Sequence, residues 1–506
     1  MKVIPTVILL VISNTLWSQS ITDALLLAQE DITGTSRYTG MAGAFGALGG
    51  DLSAIADNPA GAGVFNFSEW GISSTITNNK TSATYFSRTT PQELSQFQID
   101  QFGIVLTLNN FQPESDWTKI AFAFNLKKTA DFGSKINALG TNPNQNLGDY
   151  FTYYADGLAT ENIEVFENET VTGIYEYLGN NFGYGAQQAF LGYQAYLINP
   201  SNENDGSNTF YNSNISQGAV SHDFSSEYSG SHQKYNFAFS AVYQNKLYLG
   251  AALNTHQINF EQRSMLRERS SDPDSPIQSA SFENILNTFG TGFSTQIGLI
   301  FQFPKSFRLG LSYHSPQWLT LEEEGQQALS SEGLFESGLI TTIVDPNEVI
   351  NTYPTYRLTI PAKTTLSIAY VFDKKGLLSF DYRWSDLSAL AFTTNSQGDY
   401  LGQLNTTIKS SFVSQQGLRI GGEYRTGRIQ IQGGYSTSTD PQKSIQDPIK
   451  VLTAGLNYDL GGSVFGISMA RQTKSSTRPL YGEGLSSTLL TEQNRMQFFL
   501  TYRMKL

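Results

Sequence analysis

The 506-residue sequence has no cysteine, only four histidines, no long internal apolar run and fewer bases than acids. Each shortage excludes something. Without cysteine there is no disulfide scaffold, thiol nucleophile or thiolate metal site. His222, His232, His256 and His314 come with no Gly-x-Ser-x-Gly, no His-Glu-x-x-His and no paired metal spacing, so neither enzyme activity nor a cofactor is expected. No internal stretch approaches the 18 or more apolar residues of a membrane-crossing helix. With 32 Lys and Arg against 44 Asp and Glu the net charge is -12, which argues against a nucleic-acid partner. The acidic surplus falls in expected loops such as 322–324 and 272–274. Asp272, Asp274 and Glu283 lack the fixed ligand spacing of a calcium loop and read as solvated loop faces, so no metal is expected.

What is present is aromatic and small: 33 Phe, 26 Tyr and 45 Gly, in a chain whose mean hydropathy is only -0.26. The aromatics recur with period two. Phe102, Ile104, Leu106 and Leu108 alternate with small residues, as do Ile120, Phe122, Phe124 and Leu126, and the chain ends on Phe498, Leu500, Tyr502, Met504 and Leu506. Alternating side chains point to opposite faces of a strand, so each segment has one greasy and one small or polar face. A barrel in a membrane hides from hydropathy in this way, because only every second residue meets lipid.

About 14 such segments are expected, at 67–87, 99–109, 116–128, 234–244, 247–262, 288–303, 306–321, 357–372, 377–393, 410–425, 428–438, 450–460, 463–474 and 492–506. An even number suits a bacterial barrel. Their connectors alternate between tight turns (110–115, 244–246, 304–305, 373–376, 426–427, 461–462) and long loops (129–233, 263–287, 322–356, 439–449). Short periplasmic turns and long extracellular loops are the pattern of outer-membrane barrels. Charge sorts accordingly: Leu378, Phe380, Tyr382 and Trp384 face lipid, leaving Ser379, Asp381, Arg383 and Ser385 in the lumen, while Arg308, Arg419 and Glu423 also fall inside. A charge on the lipid face at mid-bilayer would cost ~2–4 kcal/mol.

Residues 1–18 read as a signal peptide, with Lys2, a largely apolar stretch over 3–12 and small residues before a polar start. Export, the expected outer-membrane location and the turn pattern agree. Residues 19–66 have no strand period and are expected to form a plug preceding the barrel at 67–506. Gly40, Gly43, Gly46 and Gly49 recur at every third position, which permits close backbone approach. The segment ends in Asp57-Asn58-Pro59-Ala60-Gly61.

The run from Arg37 to Phe45, then Ser53 to Gly61 with its Asn-Pro-Ala, then Gly290-Thr291-Gly292-Phe293, the stretch from Arg308 to Pro316 and that from Phe372 to Trp384 resemble the FadL family of outer-membrane transporters for long-chain fatty acids and other hydrophobic compounds, in particular its Bacteroidetes branch. The resemblance implies an all-β, 14-stranded antiparallel transmembrane barrel plugged by an N-terminal hatch. It implies passive, hatch-gated uptake of a hydrophobic small molecule, with the outer-membrane lipid as the other partner and a monomeric state. Asn58, Pro59 and Ala60 match the hatch motif, with Gly43, Gly46 and Gly49 as further gating candidates. Arg37 and Arg308 are candidates to orient a carboxylate. Phe182, Phe190, Tyr193 and Tyr196 of the long loop are candidates to capture the ligand, or to cover the barrel mouth by their own packing. In this family a kink in the third strand opens the wall sideways; here the expected third strand, 117–128, contains neither Gly nor Pro. The alternative function is a barrel component of a protein secretion or assembly machine.

Overall fold

The computed structural model describes residues 20–506 apart from 111, 113, 336–337, 347–348, 374 and 395–399; the expected signal peptide lies outside the described residues. The chain closes into a 14-strand antiparallel barrel. The strands are β1 (Glu69–Tyr85), β2 (Arg88–Asn109), β3 (Trp117–Asp131, continued as Ser134–Asn142), β4 (Val220–Tyr243), β5 (Leu247–Ser270), β6 (Ile277–Gln302) and β7 (Phe307–His314, continued as Gln317–Phe335). There follow β8 (Asn351–Ile360 and Lys363–Phe372), β9 (Gly376–Asp386 and Ala391–Thr394), β10 (Ser414–Thr426), β11 (Ile429–Ser438), β12 (Ile449–Asp459), β13 (Ser463–Pro479) and β14 (Thr488–Lys505). Neighbours in sequence pair throughout, and β14 closes on β1 from Glu69↔Lys505 to Tyr85↔Leu489. Closing the last strand on the first removes the free edges of the sheet's two end strands, as crossing lipid with strands requires.

The alternation sorts faces as the sequence indicates. Leu378, Phe380 and Trp384 are exposed on the outside, while Ser379, Asp381, Arg419 and Glu423 are buried inside. Several strands run well beyond the expected segments. Most of 263–287 and 322–335 continues β5, β6 and β7 above the membrane, and β3 with β4 takes up both ends of the 129–233 loop. His222 and His232, expected in that loop, lie on β4 and point inward. Glu283 lies on β6 and pairs with Arg263 at 3.4 Å, away from the turn that carries Asp272 and Asp274. Above the band no lipid imposes an apolar face, so the period-two signal fades there although the ladder continues.

The second strand starts at Arg88 rather than near 99, after a two-residue turn at Phe86-Ser87. Residues 88–99 of β2 pair with β1, with Asp100 bulged, but the ladder from β2 to β3 runs only from Asn109↔Lys119 to Gln101↔Lys127. Upper β2 is thus an edge inside a closed barrel. Pro91 is accommodated there because a proline, lacking an N–H, can sit only where one side of a strand needs no donor.

Three helices of the long loop cover the mouth: α4 (Leu147–Ala155), α5 (Val171–Phe182) and α6 (Tyr184–Gln194), numbered after the plug helices α1 (Ile21–Ala28), α2 (Ser36–Gly40) and α3 (Leu52–Ile55). α4 starts in a capping box between Asn146 and Asp149. Tyr150, Phe151, Phe282 and Tyr481 form an edge-to-face and stacked cluster with centroids 5.0–5.8 Å apart, which fixes the cap to β6 and to the β13–β14 loop.

Candidate functional site

Residues 20–66 lie inside the barrel and are buried almost throughout. Each turn of this segment has a polar start. Ser20, Thr35 and Asp51 accept from backbone N–H groups at the first turns of α1, α2 and α3. Asn58 caps the 3-10 turn Pro59–Val64, accepting from Ala60 N at 3.1 Å. The Asn58 amide also donates to Gly46 O at 2.7 Å and to Leu299 O of β6 at 3.3 Å. Asn58 therefore ties two plug turns to each other and to the wall.

The wall is floored with glycine where the plug touches it. Gly250 and Gly298 are cross-strand partners under Pro59 and Ala60; a Cβ at Gly298 would stand 1.9 Å from Asn58 Oδ1, and one at Gly250 2.2 Å from Ala60 N. Gly310 receives Gly46 in the same way, with Gly46 O 2.4 Å from the would-be Cβ, and the pair Gly421 and Gly434 receives Met41. Within the plug, Gly43 and Gly49 have φ of +70° and +58°, in the left-handed region that glycine enters without strain. The three-residue glycine spacing is thus half of a device whose other half lies on the strands.

Charges lock the same interface. Asp57 contacts Arg419 at 3.3 Å and Arg383 at 3.9 Å. Burial pushes its carboxyl up, but Arg383, Lys127 and Arg419 outweigh burial and hold it far below the usual range. Glu30 is likewise held well down: burial opposes ionisation, and Lys363 and Arg383, the latter at 3.4 Å, overcome it. Lys234 and Gln296 donate to Ala56 O, His314 contacts Asp57 O, and Lys119 donates to Phe65 O. Arg37 is consumed by Glu423 at 2.7 Å, and Arg308 donates to Leu48 O at 2.7 Å. Both candidate cations hold the plug, and neither lines the lumenal cavity.

That cavity, about 280 Å³, lies around α1 and is walled by residues from β3, β7, β8 and β9 round to β14. Its lining is mixed rather than uniformly greasy: Leu25, Leu26, Phe132, Ile136 and Ile360 alternate with ionic side chains. Most cations here are engaged, Arg495 with Asp31 at 2.9 Å and Lys474 with Gln29 at 2.6 Å. Arg478 differs. It donates once, to Tyr228 Oη, lies against the faces of Phe224 and Tyr228, and keeps its buried Nε and Nη2 without hydrogen-bond partners among the described residues. The expected strand stopped at 474, four residues short of it.

The cavity reaches the wall at Ala130, Asp131, Phe132 and Ser134, where β3 is interrupted. Above this point β3 leaves β2 and leans over the lumen face of β1: Asn79 donates to Gly133 O at 2.9 Å, and Gly140 packs on Tyr85. Gln96 of β2 fills the remaining space, its Oε1 2.1 Å from where a Cβ at Gly133 would be. The third strand therefore does carry a glycine break, beyond the stretch in which neither Gly nor Pro is found. On the outer face beside it stand Phe97 and Ile99, both more than 60% exposed.

Of the loop candidates, Phe190 is fully buried in the cap, Tyr193 is half-buried with its hydroxyl donating to Glu164 at 3.2 Å, and Phe182 and Tyr196 are exposed.

No family model and no curated protein matches the chain. Among solved structures it is similar to a FadL homologue of Pseudomonas aeruginosa, with a TM-score of 0.53 and 11% identity over 94% of this chain and 99% of that one. It is also similar to the toluene transporter TodX of Pseudomonas putida, with a TM-score of 0.52 and 12% identity over 95% of this chain and 100% of that one. At such identities the likeness is one of fold: the chain is a closed, 14-strand barrel of the kind built by these two proteins.

Proposed function

We propose that this chain is an outer-membrane channel through which a hydrophobic small molecule diffuses without an energy source, held above a hatch formed by residues 20–66 and released sideways between β2 and β3. The observation that supports the reading is the cavity's contact with the interrupted stretch of β3 at 130–134, where β3 has left β2 and the side chain of Gln96 closes the space beside Gly133. A channel that led its cargo through the barrel floor would need the Asn58, Asp57 and Arg37 contacts broken at each passage. A lateral exit leaves them intact and asks only that Gln96 and Asn79 move.

The mixed lining favours an amphipathic cargo with one acidic group, such as a long-chain fatty acid, over a bare hydrocarbon. Apolar side chains supply about 0.8 kcal/mol per buried methylene, and the spare donors of Arg478 match a carboxylate. Phe182 and Tyr196 offer apolar contact at the mouth, and Asn58, Pro59, Ala60, Gly43, Gly46 and Gly49 keep the hatch seated. Binding of labelled long-chain fatty acid and of toluene to the detergent-solubilised barrel tests this. Saturable fatty-acid binding that Arg478→Gln weakens about tenfold, the scale of a charge-assisted hydrogen bond, with toluene unaffected, supports it. Equal loss of both ligands would remove the carboxylate role, and binding of neither would overturn the uptake reading.

A further inference from the structure

A second groove, of about 470 Å³, lies on the outer surface across β4–β8 and is lined by Tyr235, Thr255, Gln257, Thr291, Phe293, Trp318, Thr320 and Arg357 with Gly292 and His256. Register resolves its outward side chains into two rows. Tyr235, Thr255, Phe293 and Trp318 are successive cross-strand partners in the lower row; Gln257, Thr291, Thr320 and Arg357 are successive partners in the row above. Below them come the lipid-facing Phe237, Leu253 and Ile297, each more than half exposed. Above them come Asn259, Phe289 and Glu322 in the next row, with Glu261 above that. The groove therefore straddles the upper edge of the apolar band, on the side of the long loops, where lipid headgroups meet acyl chains.

Aromatic residues are expected at any such edge. Two features here are not. Phe293 and Trp318 lie against each other with centroids 4.9 Å apart, giving a continuous apolar floor directly under a polar row. Arg357, exposed at the end of that row, has no ion-pair or hydrogen-bond partner among the described residues; the outer-face Arg263, Arg267 and Arg471 are turned to Glu283, Asp223 and Asn494, and Arg269, also unpaired, lies far up β5 away from any aromatic pair of this kind. A free guanidinium beside two threonine hydroxyls and an amide, just above an aromatic floor, is complementary to a phosphate carried on acyl chains.

We propose that this groove binds a phosphorylated lipid of the outer leaflet, its phosphate on Arg357, Thr320, Thr291 and Gln257 and an acyl chain along Phe293 and Trp318. Glu322, next above Thr320 on the same face, opposes the phosphate and makes the binding sensitive to salt. The site faces away from the lumen and is independent of the transport reading.

The test is native mass spectrometry of the detergent-purified barrel titrated with lipid A. The arms are a dephosphorylated form, inorganic phosphate as competitor, and the variants Arg357→Gln, Trp318→Ala and, elsewhere on the outer face, Lys450→Gln. Folding is checked by the heat-modifiable gel shift. The expected result is at least fivefold less retained lipid A in Arg357→Gln, a smaller loss in Trp318→Ala and no change in Lys450→Gln, with the dephosphorylated form poorly retained. Equal retention of the dephosphorylated form would reduce the groove to ordinary lipid contact. Displacement by millimolar inorganic phosphate would make it a phosphate site that needs no lipid. An equal effect of Lys450→Gln would make it general charge attraction. Each of these overturns the proposal.

Discussion

The lower and upper halves of the lumen are built from the same strands and solve opposite problems. Below, glycines at 250, 298, 310, 421 and 434 remove the wall's side chains so that plug backbone rests on strand backbone, and buried ion pairs at Asp57 and Arg37 fasten what the glycines admit. Above, the inward positions carry longer side chains, β3 steps off its neighbour, and space remains around α1. Closing the floor takes backbone proximity; keeping a chamber takes side chains whose ends pair with one another instead of with the plug. One barrel holds a seal and a chamber because its lumen-facing residues change character along each strand.

Filling the floor is expected to have the largest effect. Gly298→Leu drives side-chain atoms into Asn58, and overpacking of this kind costs ~1–3 kcal/mol or more. The expected outcome is a plug that no longer seats, read as protease cleavage within 20–66 and as ion conductance in a planar bilayer, with the barrel still heat-modifiable. Asn58→Ala tests the same seal more gently. It removes two donated and one accepted hydrogen bond, worth together about 1–3 kcal/mol, and is expected to give intermittent conductance. Conductance no higher than wild type in both variants would show that the plug is held by other contacts.

Acid is expected to act more weakly still. The Asp57 carboxyl is depressed by its cations in the folded state, so its contribution is full above the ordinary carboxylate value near ~4 and is lost as pH falls below it toward the folded value. Plug retention should therefore be flat from neutral pH to about 5 and weaken only in strong acid, and Asp57→Asn should lessen that acid dependence, the remainder resting on Glu30, which its cations hold down in the same way. A plug that loosens near pH 6 would contradict this assignment.

How much of this was legible in the sequence follows from where lipid acts. Leu378, Phe380 and Trp384 declare their face because a bilayer requires it, and their partners Ser379, Asp381 and Arg383 follow by parity. Where no lipid acts the signal weakens: 322–335 carries Glu322, Glu324 and Glu332 on strand, and Arg478 lies beyond the last alternating apolar residue of its strand. Residues 88–98 were illegible for another reason. Thr90, Gln92, Gln96 and Gln98 face a break rather than a packed lumen, so neither face of upper β2 is uniformly apolar. The Asn-Pro-Ala turn was readable as a motif, but its glycine bed on β5 and β6 was not, because nothing local marks which strand glycines meet the plug.

The proposed lateral exit can be tested directly because the chain has no cysteine. A Gln96→Cys, Gly133→Cys pair places two thiols across the β2–β3 break without a background to subtract. Uptake of a fluorescent long-chain fatty acid by cells carrying this barrel is then measured oxidised and reduced. A lateral path predicts at least a tenfold loss of uptake on oxidation, recovered with reductant, while ligand binding to the purified barrel persists. Undiminished uptake with the break stapled shut would contradict a lateral path and direct the search to the plug itself.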